Sequence, residues 1–411
     1  MNPRTFEAHG VVDSPAAWLR LCAALVLSTV GGVGMWSIMV ALPAMQAEFG
    51  VGRADATLPF TMVMLGFGAG GIVMGRLADR FGIVVPLGIG TLALSAGYIA
   101  TGLSSNLWQV ALAHGLLIGF GCSATFGPMM ADISHWFERR RGIAVAIAAA
   151  GNYTSGTIWP PVVQHFIATD GWRATHLVIG IFCLAAMLPL VLAFRRRIED
   201  HHSEAAVAAA ARRRADMPFS PLTLQTLLCI AGVACCVAMS MPQVHIVAYC
   251  GDLGYGVARG AEMLSLMLGF GIISRIASGF IADRIGGVRT LLLGSVLQGT
   301  ALFLYLWFDG LISLYVISAL FGLFQGGIVP SYAIIVREYF SPREAGTRLG
   351  LILMATLLGM ALGGWLSGLI FDLTGSYRAA FLNGLGWNLV NVSIMVWLLQ
   401  RSRRGGQLAA A

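Results

Sequence analysis

One arginine stands where hydrocarbon is expected. Arg275 lies inside a long apolar run, four residues before Gly279. A buried arginine is expensive in a membrane and turns toward a bundle interior or a wet cavity. Its own helix offers no acid one turn away, because Gly271 and Gly279 occupy those places. A guanidinium so placed can hold a carboxylate through two parallel hydrogen bonds, which makes Arg275 the leading candidate for substrate binding. Three bland readings compete: snorkelling to the inner interface, helix-end carbonyls, or an ion pair with Asp132, the other acid well within an apolar run.

A few further polar side chains interrupt apolar runs. His245 follows Pro242 and Gln243, with Tyr249 one turn later. A histidine titrates near physiological pH and can bind or relay a proton, or simply sit satisfied at an interface; His114 is a weaker candidate of the same kind. Asn152 and Tyr153 fall in mid-run and either hydrogen-bond a ligand or glue helices together. Gln325, Tyr332 and Trp36 are cavity candidates. Convergent catalytic groups are missing: there is no H-x-x-x-H and no G-x-S-x-G, so the chain does not read as an enzyme. The seven cysteines lie in or beside apolar runs without C-x-x-C spacing and read as apolar fillers, with no metal or cofactor implied.

The elements that hold these residues follow from composition. The chain has 411 residues, 57% hydrophobic and 11% charged, against about 25% charged in soluble domains. Lipid must therefore solvate most of its surface. Apolar runs of about twenty residues, each long enough to cross the hydrocarbon core, fall near 18–43, 56–76, 83–103, 107–132, 142–167, 173–194, 222–250, 259–281, 287–308, 311–336, 347–371 and 377–399. They are continuous rather than alternating, so helices are expected and not a barrel. The fold class expected is all-α, twelve transmembrane helices in two six-helix bundles, 1–194 and 222–411. A polar linker, 195–221, joins them, and its Ala205–Ala211 run can form a short surface helix.

The net charge of +7 comes with arginine and no lysine. The arginines cluster in short connections, which is the positive-inside pattern and not a nucleic-acid patch. With both termini cytoplasmic, the inner loops and tails take 21 arginines, among them Arg20, and the outer loops take four, among them Arg53; Arg275 is left inside a span.

Gly75-Arg76-Leu77-Ala78-Asp79-Arg80-Phe81-Gly82 ends the second run, and Gly279-Phe280-Ile281-Ala282-Asp283-Arg284-Ile285-Gly286 ends the eighth. The offset, 279 − 75 = 204, is half the chain. Duplication of this kind points to a transporter with its site between the halves. In each octet the glycines would allow close backbone approach. Asp79 and Asp283 can accept from a helix N-terminus, and Arg80 and Arg284 can bond carboxylates or helix-end carbonyls. The octets thus read either as a conformational gate or as turns that only fix topology.

The octet resembles the signature loop of the major facilitator superfamily, and the resemblance spans essentially the whole chain. Three stretches resemble its monocarboxylate and oxalate–formate branch: Trp136 to Ala144 leading into Ala150 to Pro161, then Gly171-Trp172-Arg173, and Leu42-Pro43 with Glu48-Phe49-Gly50. The resemblance implies a helix 8 arginine, here Arg275, for the substrate carboxylate. The chain departs from that pattern in lacking a helix 1 lysine, an aspartate one turn before Arg275, and a helix 11 cation in Leu351–Ile370. One buried cation favours a monoanion over a dianion. The expectation is alternating-access transport of a small organic monoanion, possible proton coupling included, by a monomer in the inner membrane. Efflux of amphipathic drugs and a non-transporting membrane sensor are the alternatives. The glycine–proline pattern of helix 5 disfavours the first, and the lack of a long polar segment disfavours the second.

Overall fold

The computed structural model describes residues 12–196, 220–340 and 342–408. The linker helix expected at Ala205–Ala211 and the arginines Arg212–Arg214 lie outside them. Among the described residues, eleven helices are long and apolar enough to cross a membrane. We number the crossings α1 (Pro15–Phe49), α2 (Arg53–Phe81), α3 (Val84–Gly102), α4 (Leu107–His135), α5 and α6 (both within Gly142–Phe194), α7 (Pro221–Asp252), α8 (Val257–Ile285), α9 (Gly287–Trp307), α10 (Leu311–Tyr339), α11 (Gly346–Thr374) and α12 (Tyr377–Arg401). The 53-residue stretch Gly142–Phe194 would be roughly 80 Å long as one helix, far beyond a ~30 Å core. Gly171 divides it, with φ 80° and ψ 161° inside the helical stretch. The twelve expected crossings are therefore present.

The duplication extends from the octets to backbone conformation. Gly82 has φ 83° and ψ 165°, and Gly286, 204 residues on (286 − 82), has φ 84° and ψ 163°. Gly171 and Gly375 stand at the same offset, between α5 and α6 and between α11 and α12, and both have positive φ. Gly50 and Gly254 make a third such pair. The conformation of Gly82 and Gly286 is essentially restricted to glycine, so the last glycine of each octet is demanded by the corner itself. The first glycine behaves otherwise. A Cβ at Gly75 or Gly279 would meet nothing within 4 Å, so the close approach expected there does not occur in this conformation.

Two crossings are broken at matching places. In α4, a π-helical turn, His114–Gly119, is followed by a 3-10 turn, Ser123–Thr125, and by Phe126 at φ −115° and ψ −86°. In α10, the helix Leu311–Gln325 stops at Gly326 and a new one begins after Gly327. Position 326 lies 204 residues beyond Cys122. Interrupted helices at corresponding places in two repeats are a pointer to a transporter's binding region. A third break, at Gly32, splits α1 into Pro15–Gly31 and Val33–Phe49.

The chain clusters into two compact units. One is Met1–His201 with Val247–Leu268, and the other is His202–Ile246 with Gly269–Ala411. Within the second, Leu228, Cys235, Ile328, Tyr332, Ile335 and Phe340 belong to one apolar core. Large apolar side chains are also exposed at Leu19, Leu103, Ile312 and Leu373. Exposure on that scale fits hydrocarbon and not water.

The corners yield a paired expectation. Gly82→Ala and Gly286→Ala force a side chain into a glycine-only region, a strain of about 1–3 kcal/mol each. Gly75→Ala and Gly279→Ala add a Cβ into open space on a helix and are expected to be neutral or slightly stabilising. Thermal melting of the four purified variants separates the two classes.

Candidate functional site

In the first unit the break in α1 faces the break in α4. Ser28, Gly32 and Met35 of α1 line a cavity of about 10 Å³ together with Phe67 of α2, Cys122, Thr125 and Phe126 of α4, and Asn152 of α5. That is room for about one water. Ser28 Oγ donates to Thr125 O at 2.8 Å, satisfying a carbonyl at the α4 break. One turn on from Gly32, Trp36 Nε1 donates to both Asn152 O and Asn152 Oδ1 at 3.0 Å, and Asn152 Nδ2 lies 3.5 Å from Met35 Sδ. Gly156 lets this contact form, since a Cβ there would come within 2.9 Å of the Trp36 ring and 2.3 Å of Leu268 Cδ1. Trp36 and Asn152, picked out separately in the sequence, are thus brought together. Tyr153, the next residue, is buried at 6% exposure.

In the second unit the eighth and tenth crossings meet at Arg275. A Cβ at Gly326 would come within 2.4 Å of Gly271 O, and one at Gly327 within 2.2 Å of Ser278 Cβ. The α10 break is therefore pressed onto α8 over the two turns that carry Arg275. Arg275 is 8% exposed, and its Nε donates to Gly326 O at 3.5 Å, a carbonyl at the C-terminal end of the upper α10 segment. The helix-end reading of Arg275 is thus partly realised. The neighbouring Gln325 is fully buried and accepts from Gln243 Nε2 at 3.0 Å, while its own Nε2 is buried without a partner. Gln325 joins Arg275 at the break, and Gln243 of α7 is a member that the sequence offered only as a neighbour of His245.

Other candidates lie apart from these clusters. Tyr332 is fully buried in the apolar core, and its hydroxyl donates to Cys235 Sγ at 3.5 Å. His245 donates from Nε2 to Gly364 O of α11 at 2.8 Å, and its ring stands 6.1 Å from Tyr377. Here it ties α7 to α11 and packs beside the start of α12. In the octets Asp79, Arg80, Asp283 and Arg284 are exposed, and the Arg80 guanidinium lies 5.1 Å from the Phe81 ring.

Two arginines assigned to loops by charge counting turn out to be buried. Arg20 is 4% exposed within α1. Its Nε and Nη2 grip the two oxygens of Asp132 at 2.8 Å each, and Trp136 and Phe194 lie 4.4 and 4.7 Å from the guanidinium. Asp132 is therefore engaged by Arg20. Arg53, at 6% exposure, pairs with Asp252 at 3.0 Å. Neither partner was visible from spacing, because each pair joins helices remote in sequence. The branch-like stretches also meet: Trp172 Nε1 donates to Glu48 Oε2 at 2.5 Å, and Arg173 pairs with Glu48 Oε1 at 2.7 Å. They clasp the end of α1 to the start of α6.

Comparison with known proteins agrees with this architecture. A family model of the Major Facilitator Superfamily matches residues 24–316 and 272–410. Monocarboxylate transporter 13 of Bos taurus is 28% identical over 337 residues, covering 80% of this chain and 76% of its own. Monocarboxylate transporter 11 of Homo sapiens is 28% identical over 400 residues, covering 92% and 82%. Among solved structures, a POT family transporter in complex with 5-aminolevulinic acid superposes with a TM-score of 0.72 over 94% of this chain and 96% of its own, at 13% identity. That last likeness speaks for the fold alone.

The buried pair gives a direct test of the local energetics. Asp132→Ala leaves Arg20 charged, desolvated and without its carboxylate, a loss expected at about 3–5 kcal/mol. The double substitution Arg20→Met with Asp132→Leu removes both charges and should recover most of it. Melting temperatures of the single and double variants in one detergent decide this.

Proposed function

Because the chain belongs to the Major Facilitator Superfamily, a family of multi-pass membrane transporters, we propose that it carries a small organic monocarboxylate across the inner membrane by alternating access, with a proton as coupling ion and both termini in the cytoplasm. The observation that carries this reading is Arg275, buried at the α10 break. A contact of 3.5 Å to a carbonyl is at the long end for a hydrogen bond. A carboxylate can be gripped by the same guanidinium through two short charge-assisted bonds. The lower α10 segment, Ile328–Tyr339, begins beside the same residues, and the positive end of its dipole favours an anion there. Gln325, with an amide nitrogen in need of an acceptor, supplies a further donor for the substrate. The names of the two mammalian relatives support the same substrate class.

Within the first unit, Trp36, with Asn152 and Tyr153, forms an apolar wall with a polar edge. Within the second, Tyr332 and His245 act by holding its helices together. The octets at Gly75–Gly82 and Gly279–Gly286 serve as the cytoplasmic gate, and a single chain suffices.

The test is thermal stabilisation of the purified protein by a panel of small carboxylates. A ligand present at a hundred times its Kd stabilises the folded state by about 2.7 kcal/mol. One or more monocarboxylates should raise the melting temperature of the wild type and leave folded Arg275→Ala unmoved. Arg275→Lys should recover little, because an ammonium lacks the planar fork. If Arg275→Ala responds as the wild type does, the substrate is held elsewhere.

A further inference from the structure

The first unit buries two histidines side by side. His114 opens the π-helical turn of α4, a feature frequent at functional sites. His176 lies in α6, and both are 0% exposed. Their rings are 6.0 Å apart. His114 Nδ1 lies 2.9 Å from Val110 O, and His176 Nδ1 lies 2.7 Å from Trp172 O. A carbonyl only accepts, so each Nδ1 carries the hydrogen and each Nε2 of the neutral ring is left as an acceptor. Both Nε2 atoms are buried without a hydrogen-bond partner. Two orphaned acceptors in one buried cluster call for an explanation.

Holding helices together is not a sufficient one. Thr101 Oγ1 lies 3.4 Å from His114 Nδ1, and the positions 204 residues beyond these two are Tyr305 and Ser318. There the Tyr305 hydroxyl and Ser318 Oγ are 2.8 Å apart, and Tyr305 stacks on Phe381 at 4.9 Å. The second repeat thus joins α9 to α10 with an ordinary hydroxyl pair, and position 380, which matches His176, is alanine.

We propose that His114 and His176 together bind one proton, the coupling proton of the transport cycle. The proton adds to one Nε2, and the charge it brings lies on a ring whose centre is 6.0 Å from the other. The two rings share one positive charge, and a second proton is opposed by repulsion from the first. The surroundings suit a single desolvated cation. Tyr98 of α3 and Trp172 of α6 stand 5.5 and 5.7 Å from the His176 ring and offer aromatic rings to it. Gly102 and Gly180 make the approach of α6 to α3 possible, since a Cβ at either would come within 3.0 Å of the other helix. Tyr98 on α3 stands beside the His176 ring, with Cys122 on α4 and Cys183 on α6 next to Tyr98; the Glu48–Arg173 ion pair reaches the cluster through Trp172, and α2 faces the π turn with Met62 and Val63. Tyr98 also connects the site to α1, its hydroxyl lying 2.7 Å from Ser37 Oγ, beside Trp36.

This inference rests on the proton-coupled reading above, and its test has an arm that needs no substrate. Nitrogen NMR of histidine-labelled wild type between about pH 5 and 8 should show the two rings, neutral at the alkaline end, taking up one proton between them as the pH falls. His114→Asn and His176→Asn keep a donor for the backbone carbonyl and remove Nε2; in either, the remaining histidine should stay neutral over that range. In proteoliposomes, carboxylate uptake by the wild type should rise toward acid pH by up to about tenfold per unit, the limit for one proton, and each variant should flatten that slope. Rings that both remain neutral throughout in the wild type, or variants that keep the full pH slope, overturn the proposal. If no carboxylate is transported at all, the substrate reading falls, and the NMR titration of the wild type decides the proton site by itself.

Discussion

Hydrocarbon cannot hydrogen-bond a peptide group, and the helix breaks of α4 and α10 are governed by that fact. A continuous crossing satisfies its own backbone, whereas a broken one leaves carbonyls and amides to be satisfied from elsewhere. The breaks of α4 and α10 have side chains assigned to them. Thr125 O receives Ser28 Oγ, Cys122 O receives Thr125 Oγ1, Phe120 O receives Ser123 Oγ, and Gly326 O receives Arg275 Nε. The first three donors are hydroxyls, the least costly groups to bury. The fourth is a guanidinium, far more expensive than a carbonyl needs. The contrast with Arg20 is informative. Arg20, whose work is structural, donates two 2.8 Å bonds to a carboxylate, whereas the Arg275 bond to Gly326 O is 3.5 Å.

The repeat separates scaffold from chemistry. Corners, and the breaks of α4 and α10, recur at an offset of 204, because both halves must turn and cross the same thickness of lipid. The polar residues at the candidate sites do not recur. Arg275 is matched by Gly71, Gln325 by Gly121, Trp36 by Ser240, Asn152 by Thr356 and His176 by Ala380. Duplication supplied the frame twice, and the side chains that interrupt the apolar runs were placed in it once each. Asymmetry of this kind is what a transporter with an asymmetric substrate requires, since two identical half-sites would favour a symmetric ligand.

The crossings and the corners were legible because each depends on a local property. Twenty apolar residues span a membrane whatever their neighbours do, and Gly82 and Gly286 answer to their own φ. Gly75 and Gly279 show the limit of this: they read as packing glycines, yet whether a Cβ has room depends on what lies opposite. Charge counting missed the burial of two arginines for a related reason. It treats each arginine near a span end as solvated, and Arg20 and Arg53 are withdrawn from water by Asp132 and Asp252, 112 and 199 residues away. The partners of Trp36 and Trp172 were hidden in the same way, although the stretches bearing Asn152 and Glu48 had already been marked by resemblance.

Unsatisfied polar atoms extend the reasoning from this conformation to others. A buried acceptor without a donor costs on the order of 1–3 kcal/mol, and Nε2 of His114, Nε2 of His176 and the amide nitrogen of Gln325 all carry that penalty here. A protein with one functional state could replace these groups by apolar ones of similar shape, as the repeat does with Ala380. A protein that alternates between states keeps a polar atom that is costly in one state if a ligand or a proton satisfies it in another, because a ligand shifts an equilibrium only by binding the states unequally. The orphaned atoms beside Arg275 and between the two histidines are therefore where differential binding free energy would be gained.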